Sequence, residues 1–181
     1  MKKFLLLAVC FISSSIAFAQ IKTDKVEEDG SRWIVTDNTN LYVGWDKSSG
    51  FNLSYSLKAN GEETYEITLC LDEGKMQFEK GRKLLIKFKD GSIMELKNNK
   101  KIGPTDYKYL SKSYLTYPQY SVTEEEIQKI INGEAIKIRV ENDMEFFDRD
   151  IKKNKFSKGL KNAYEAIKAK KETKNDVYES F

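Results

Sequence analysis

The chain has 181 residues, 31 Lys and Arg against 28 Asp and Glu, a formal charge of +3 and no histidine. Charges of both signs in near balance give no polybasic face for nucleic acid or an anionic membrane. The lack of histidine excludes Ser-His-acid and Cys-His catalysis, HExxH zinc sites and the usual zinc fingers, leaving carboxylate, Tyr, Lys or oxygen-ligated metal chemistry.

Residues 1–20 read MKKFLLLAVCFISSSIAFAQ. Lys2 and Lys3 precede a short apolar run, and Ala17-Phe18-Ala19 places small residues where a signal peptidase reads. We expect a signal peptide over 1–19, cleaved before Gln20. Its apolar run is shorter than the ~20 residues that span a bilayer, so no integral segment is expected after cleavage. Only Cys70 then remains, within a strand, where it reads as a small buried hydrophobe.

Residues 20–30 are polar and aperiodic, and are expected to be a flexible lead-in to a compact domain over 31–171. Residues 31–37 and 40–46 read as strands joined by a turn, with Trp33 and Trp45 assigned to the core. In FNLSYSLK, Phe51, Leu53, Tyr55 and Leu57 alternate with polar residues, the pattern of a half-buried antiparallel strand. Asn60-Gly61 ends it, and ETYEITLCL follows with Tyr65, Ile67, Leu69 and Leu71 on one face.

Asp90-Gly91 marks a hairpin. A Lys89-Asp90-Gly91 loop with Gly91 left-handed would set Ile86 opposite Met94 and Leu84 opposite Leu96, gathering the apolar side chains on one face. Residues 107–120 read as one long extended stretch carrying Tyr107, Tyr109, Tyr114, Tyr117 and Tyr120, with Pro118 near its end.

A short helix is expected near 123–132. Thr123 is placed to cap it, Glu126 to complete a capping box, and Val122 with Ile127 to form a hydrophobic staple. Gly133 would end it in a left-handed conformation. Ile136, Ile138 and Val140 would then bury one face of a strand. Phe156, Leu160, Ala163 and Ile167 form one stripe of an amphipathic C-terminal helix near 155–170, with a frayed tail over 172–181.

The expected fold class is α+β. Six to eight strands, mostly antiparallel, would form a sandwich-like or partly closed barrel, accompanied by the two helices. The first-turn acids Glu124, Glu125 and Glu126 suit a helix N-terminus. The acids of residues 141–150 lack the loop glycine of an EF-hand. No metal set, cofactor loop or catalytic pair emerges. The ligand-binding candidates are Tyr107, Tyr109, Tyr114, Tyr117 and Tyr120, since Tyr rings serve recognition surfaces.

The succession of GRKLLIKFKDGSIMEL, the tyrosine-rich segment, YSVTEEEIQKIINGEAIKIRVE and a lysine-rich C-terminus resembles small secreted and envelope proteins of gut and oral Bacteroidetes, over about residues 63–170. That group carries no established activity. The resemblance implies export to the periplasm or outer envelope and assigns no residue a role. By elimination, the expected function is a non-enzymatic module binding a protein, peptide or glycan. The alternatives are a carboxylate-dependent hydrolase of envelope sugars and a β-barrel carrier of a small apolar ligand.

Overall fold

The computed structural model describes residues 20–43, 48–73, 75–109 and 112–179. The expected signal peptide and Trp45 lie outside them. The strands are β1 (Ile21–Val26), β2 (Arg32–Thr36), β3 (Thr39–Val43), β4 (Ser48–Leu57), β5 (Glu63–Glu73), β6 (Lys83–Phe88), β7 (Ile93–Lys97), β8 (Asp106–Lys108), β9 (Ser113–Thr116), β10 (Gln119–Val122), β11 (Ala135–Glu141) and β12 (Phe146–Asp150). The helices are α1 (Glu124–Asn132) and α2 (Lys155–Glu179), with a 3-10 turn at Lys152–Asn154 before α2.

The expected mixed α+β architecture is present, with a partly curled, half-barrel sheet and a C-terminal helix. The larger sheet runs β1-β2-β4-β5-β9-β8, with β3 also paired to β4 and β10 to β5; the smaller runs β12-β11-β6-β7. Every pairing between these strands is antiparallel. Twelve strands among the described residues exceed the six to eight read from sequence, because several are short edge strands without an apolar alternation. No helix of the described residues is long and apolar enough to cross a membrane.

Within the polar segment 20–30 the structure places β1. It carries almost no buried side chain and is held by backbone pairing to β2. Arg32 adds a bidentate bond to Asp24 at 2.8 and 2.9 Å. The stretch 107–120 is not one strand. β8 and β9 form a hairpin, with Lys112 left-handed at φ 50°. β9 and β10 then lie along successive parts of β5, with Pro118 between them accepting the Leu69 N–H at 3.0 Å.

The β6–β7 hairpin adopts the expected register: Ile86 faces Met94, Leu84 faces Leu96, Phe88 N–H donates to Ser92 O at 2.9 Å, and Gly91 has φ +88°. The α1 capping box also forms. Thr123 Oγ1 accepts from Glu126 N–H at 3.2 Å and Glu126 Oε2 accepts from Thr123 N–H at 2.8 Å. Gly133 departs from expectation. It is right-handed at φ −86°, and Glu134 takes the left-handed position at φ 48°. The glycine is required by space, since a Cβ there would lie 2.6 Å from Phe88 Cδ1. Ile136 is also 40% exposed, because a register shift between Ala135 and Lys137 turns it off the buried face.

α2 packs against β2, β3 and β4, and its expected stripe is buried: Phe156 meets Phe51 edge-on at 4.8 Å. The helix extends past the expected 155–170 to Glu179. α1 packs on α2, and one continuous apolar cluster joins both sheets and both helices.

Candidate functional site

The five tyrosines expected to form one platform divide into three environments. Tyr107 and Tyr109 stand in solvent, 51% and 85% exposed, on the β8–β9 hairpin. Tyr107 contacts the half-buried Tyr114 at 4.9 Å and Tyr109 at 6.5 Å. The buried Asp72 anchors this hairpin, accepting from Lys108 Nζ at 2.7 Å and from the Ser113 hydroxyl. Tyr117 is half-buried beside Cys70; burial raises that thiol, so it is not a ready nucleophile. Tyr120 is a core residue at 0% exposure and cannot meet a ligand, which corrects its place among the candidates.

A different set of rings converges where α2 crosses the ends of β4 and β5. Tyr55, Tyr65 and Tyr164 wall a hollow of about 330 Å³ with Arg32, Leu57, Glu63, Glu124 and Lys171 also at its edge. Tyr55 contacts Tyr65 at 5.3 Å, and Tyr65 contacts Tyr164 at 6.0 Å. The alternation of β4 and β5 explains part of this arrangement. Tyr55 and Tyr65 are direct cross-strand partners, so their rings fall on one face. Tyr164 follows Leu160 by one turn of α2, on the edge of its buried stripe.

Charge in the hollow is arranged in pairs. Lys171 Nζ donates to Glu63 Oε2 at 2.6 Å and lies 4.3 Å from the Tyr55 ring centroid and 5.7 Å from that of Tyr65. The Tyr164 hydroxyl donates to Glu124 Oε1. Arg32, bound to Asp24, also donates to the Lys170 carbonyl at 3.1 Å and so joins the helix to the sheet. Burial pushes the Tyr65 and Tyr164 phenols up to about 12, and Glu124 adds to both shifts. The hydrogen bond from Lys171 holds Glu63 below its usual range, aided by Tyr55. Burial opposes the Lys171 charge, but the bond to Glu63 and the nearness of Tyr55 outweigh it and raise its pKa. At neutral pH the phenols are therefore donors and Lys171 is a cation.

Two further hollows continue this one. A hollow of about 610 Å³ shares Arg32 and Leu57 with it and reaches Trp33, Lys58 and Asn60. Another of about 410 Å³ shares Glu63, Tyr65 and Glu124 and reaches Ser121, Thr123 and Glu126. Together they form a groove that wraps around the strand ends, from Trp33 on the sheet face opposite Tyr55 to the start of α1.

No family model, curated protein or solved structure matches this chain. The functional reading therefore rests on the residues of the groove.

Trp33 corrects the core assignment made from sequence: it is 51% exposed. It shares a strand face with the buried Val35, and that face is covered only toward Val35. The sequence also offered no signal for Glu63, and Glu124 reads there only as a helix-starting acid. Nothing local signals that these element ends meet. Three of the acids of 141–150 are engaged elsewhere: Arg82 donates to Glu141 at 3.1 Å and Asp143 at 2.8 Å, and Arg139 donates to Asp148 at 2.6 Å.

Proposed function

We propose that this is an exported envelope protein, not itself an enzyme, that holds an extended polar ligand, a peptide or glycan segment, in the groove between Trp33 and α1. Export is supported by the leader residues and by the resemblance to envelope proteins. The observation that carries the binding reading is the continuity of the groove, whose three hollows share lining residues. Aromatic walls with a few oriented polar groups are the usual make-up of a ligand cleft. Charges paired within the walls fix hydrogen-bonding directions.

A panel of short peptides and envelope oligosaccharides, titrated by calorimetry, tests this reading. Ligands bound by the parent should lose affinity on Trp33→Ala and Glu124→Gln and keep it on Tyr109→Ala. Trp33 and Glu124 are exposed, so these changes should leave the fold intact. Loss on Tyr109→Ala alone would move the site to the hairpin and overturn the reading.

The hydrolase reading draws on one observation: Glu63 and Glu124 border the same hollows. Lys171 keeps Glu63 ionised, so Glu63 is unsuited to be the proton donor and Glu124 would have to fill that role. Release of reducing sugar by the parent, lost in Glu124→Gln, would establish hydrolysis in place of binding.

A further inference from the structure

Lys171 is the last lysine of α2 with a described side chain, and it reaches back onto the sheet. Its ammonium lies over Tyr55, within reach of Tyr65, and against Glu63. The Tyr65 hydroxyl stands 3.5 Å from the same nitrogen. The face of the Tyr55 ring, the hydroxyl edge of Tyr65 and a carboxylate around one ammonium make a partial aromatic cage, a form of the arrangement by which proteins recognise alkylammonium groups. Here the cage is closed by a residue of the chain itself, bound through groups that remain partly open to solvent: the side chains of Lys171 and Glu63 are 27% and 47% exposed.

The cage also opens onto a surface suited to a cation. The hollow beyond Tyr65 is lined by Glu63, Glu124 and Glu126, hydroxyl residues and Val122, with no lysine or arginine in its walls. The positive end of α1 faces this region, but its first turn carries three acids, and the capping box already occupies the Thr123 and Glu126 N–H groups. Lys168 lines the middle hollow and would oppose an incoming cation there, so approach is favoured from the acidic side.

We propose that the Tyr55–Tyr65–Glu63 cage is a recognition site for a lysine side chain of a basic peptide segment in a partner protein, and that Lys171 is its internal competitor. The proposal rests on the groove reading above and adds the ligand's chemistry to it. The observed occupant is itself a lysine ammonium, the group that a partner lysine would present. A partner lysine would displace Lys171 and take over the same rings and carboxylate. While Lys171 is seated, the competent fraction of molecules is small and the apparent affinity is reduced by that fraction.

Calorimetric titration of the full mature chain with tetralysine, and with the same peptide acetylated at each side-chain amine, tests this. Lys171→Ala should tighten tetralysine binding by about tenfold, as expected when an internal competitor is removed. Lys171→Arg keeps a cation in the cage and should resemble the parent. Glu63→Gln, made in the Lys171→Ala background, should abolish the gain, and the acetylated peptide should fail to bind. Thermal unfolding of each variant verifies that it folds. A Lys171→Ala variant that folds but binds tetralysine no more tightly than the parent would overturn the proposal, leaving Lys171 as a structural tie. Equal binding of the acetylated peptide in the groove would overturn it while leaving the groove reading intact. The groove reading fails separately, if no peptide or glycan of the wider panel responds to Trp33→Ala or Glu124→Gln.

Discussion

Glu126 and Asp148 illustrate what many acids of this chain do: each is answered by a neighbouring donor. Thr123 and Glu126 satisfy each other's backbone N–H groups, so Thr123→Ala should cost about 1 kcal/mol of stability. Urea unfolding checks this, and an unchanged midpoint would contradict the cap. Asp148 takes hydrogen bonds from Arg139 and Lys137, which hold its carboxyl well below the ordinary 3.8. A pKa lowered on folding contributes stability that is complete above the unfolded value and fades as pH falls through the folded one. Asp148→Asn should therefore be less stable than the parent at pH 7, and the gap should narrow below about pH 4. A gap that is the same at both pH values would contradict the ion pair. The capping box was legible because all its parts lie within four residues. Trp33 was not, because its strand carries apolar residues on both faces and only the distant neighbours decide which one is covered.

At the scale of elements, patterns with a local cause were readable. The β6–β7 register followed from Gly91 and the apolar alternation, and the α2 stripe from its four-three-four spacing. The reason for a glycine can lie across the fold and leave no local mark. At Gly159, inside α2, a Cβ would stand 2.6 Å from Thr39 Cγ2 and 3.1 Å from Phe51. The glycine lets α2 approach the sheet. Gly159→Ala should thus destabilise by about 1–3 kcal/mol through overpacking, against the ~1 kcal/mol that alanine gains in a free helix. Thr39→Ser removes the nearest methyl, so the cost of Gly159→Ala should shrink in that background, as a double-mutant cycle in denaturant would measure. Additive effects would place the strain elsewhere. The tyrosine segment 107–120 was misread for a related reason: β9 and β10 are placed by pairing with β5, far away in sequence, and the left-handed Lys112 is not a glycine that would announce a turn.

At the scale of the molecule, the groove is assembled from β2, β4, β5, α1 and α2. Lys171 and Glu63, which meet at 2.6 Å, are 108 positions apart in the chain. No periodicity or motif joins such residues, which is why the sequence pointed to the densest run of tyrosines and missed the three that the fold brings together. The α+β class needed only element types and their order, so it was legible; the site needed the strand order and the angle of α2 on the sheet. The central claim is that this assembled groove, and not the tyrosine hairpin, is where the protein meets its ligand. Backbone amide NMR during titration with the tightest-binding probe of the peptide and glycan panel tests it most directly. Shifts should concentrate at Trp33, Leu57, Glu63, Tyr65, Glu124 and Lys171, with Tyr107 and Tyr109 unmoved. Shifts confined to residues 106–116 would contradict the account.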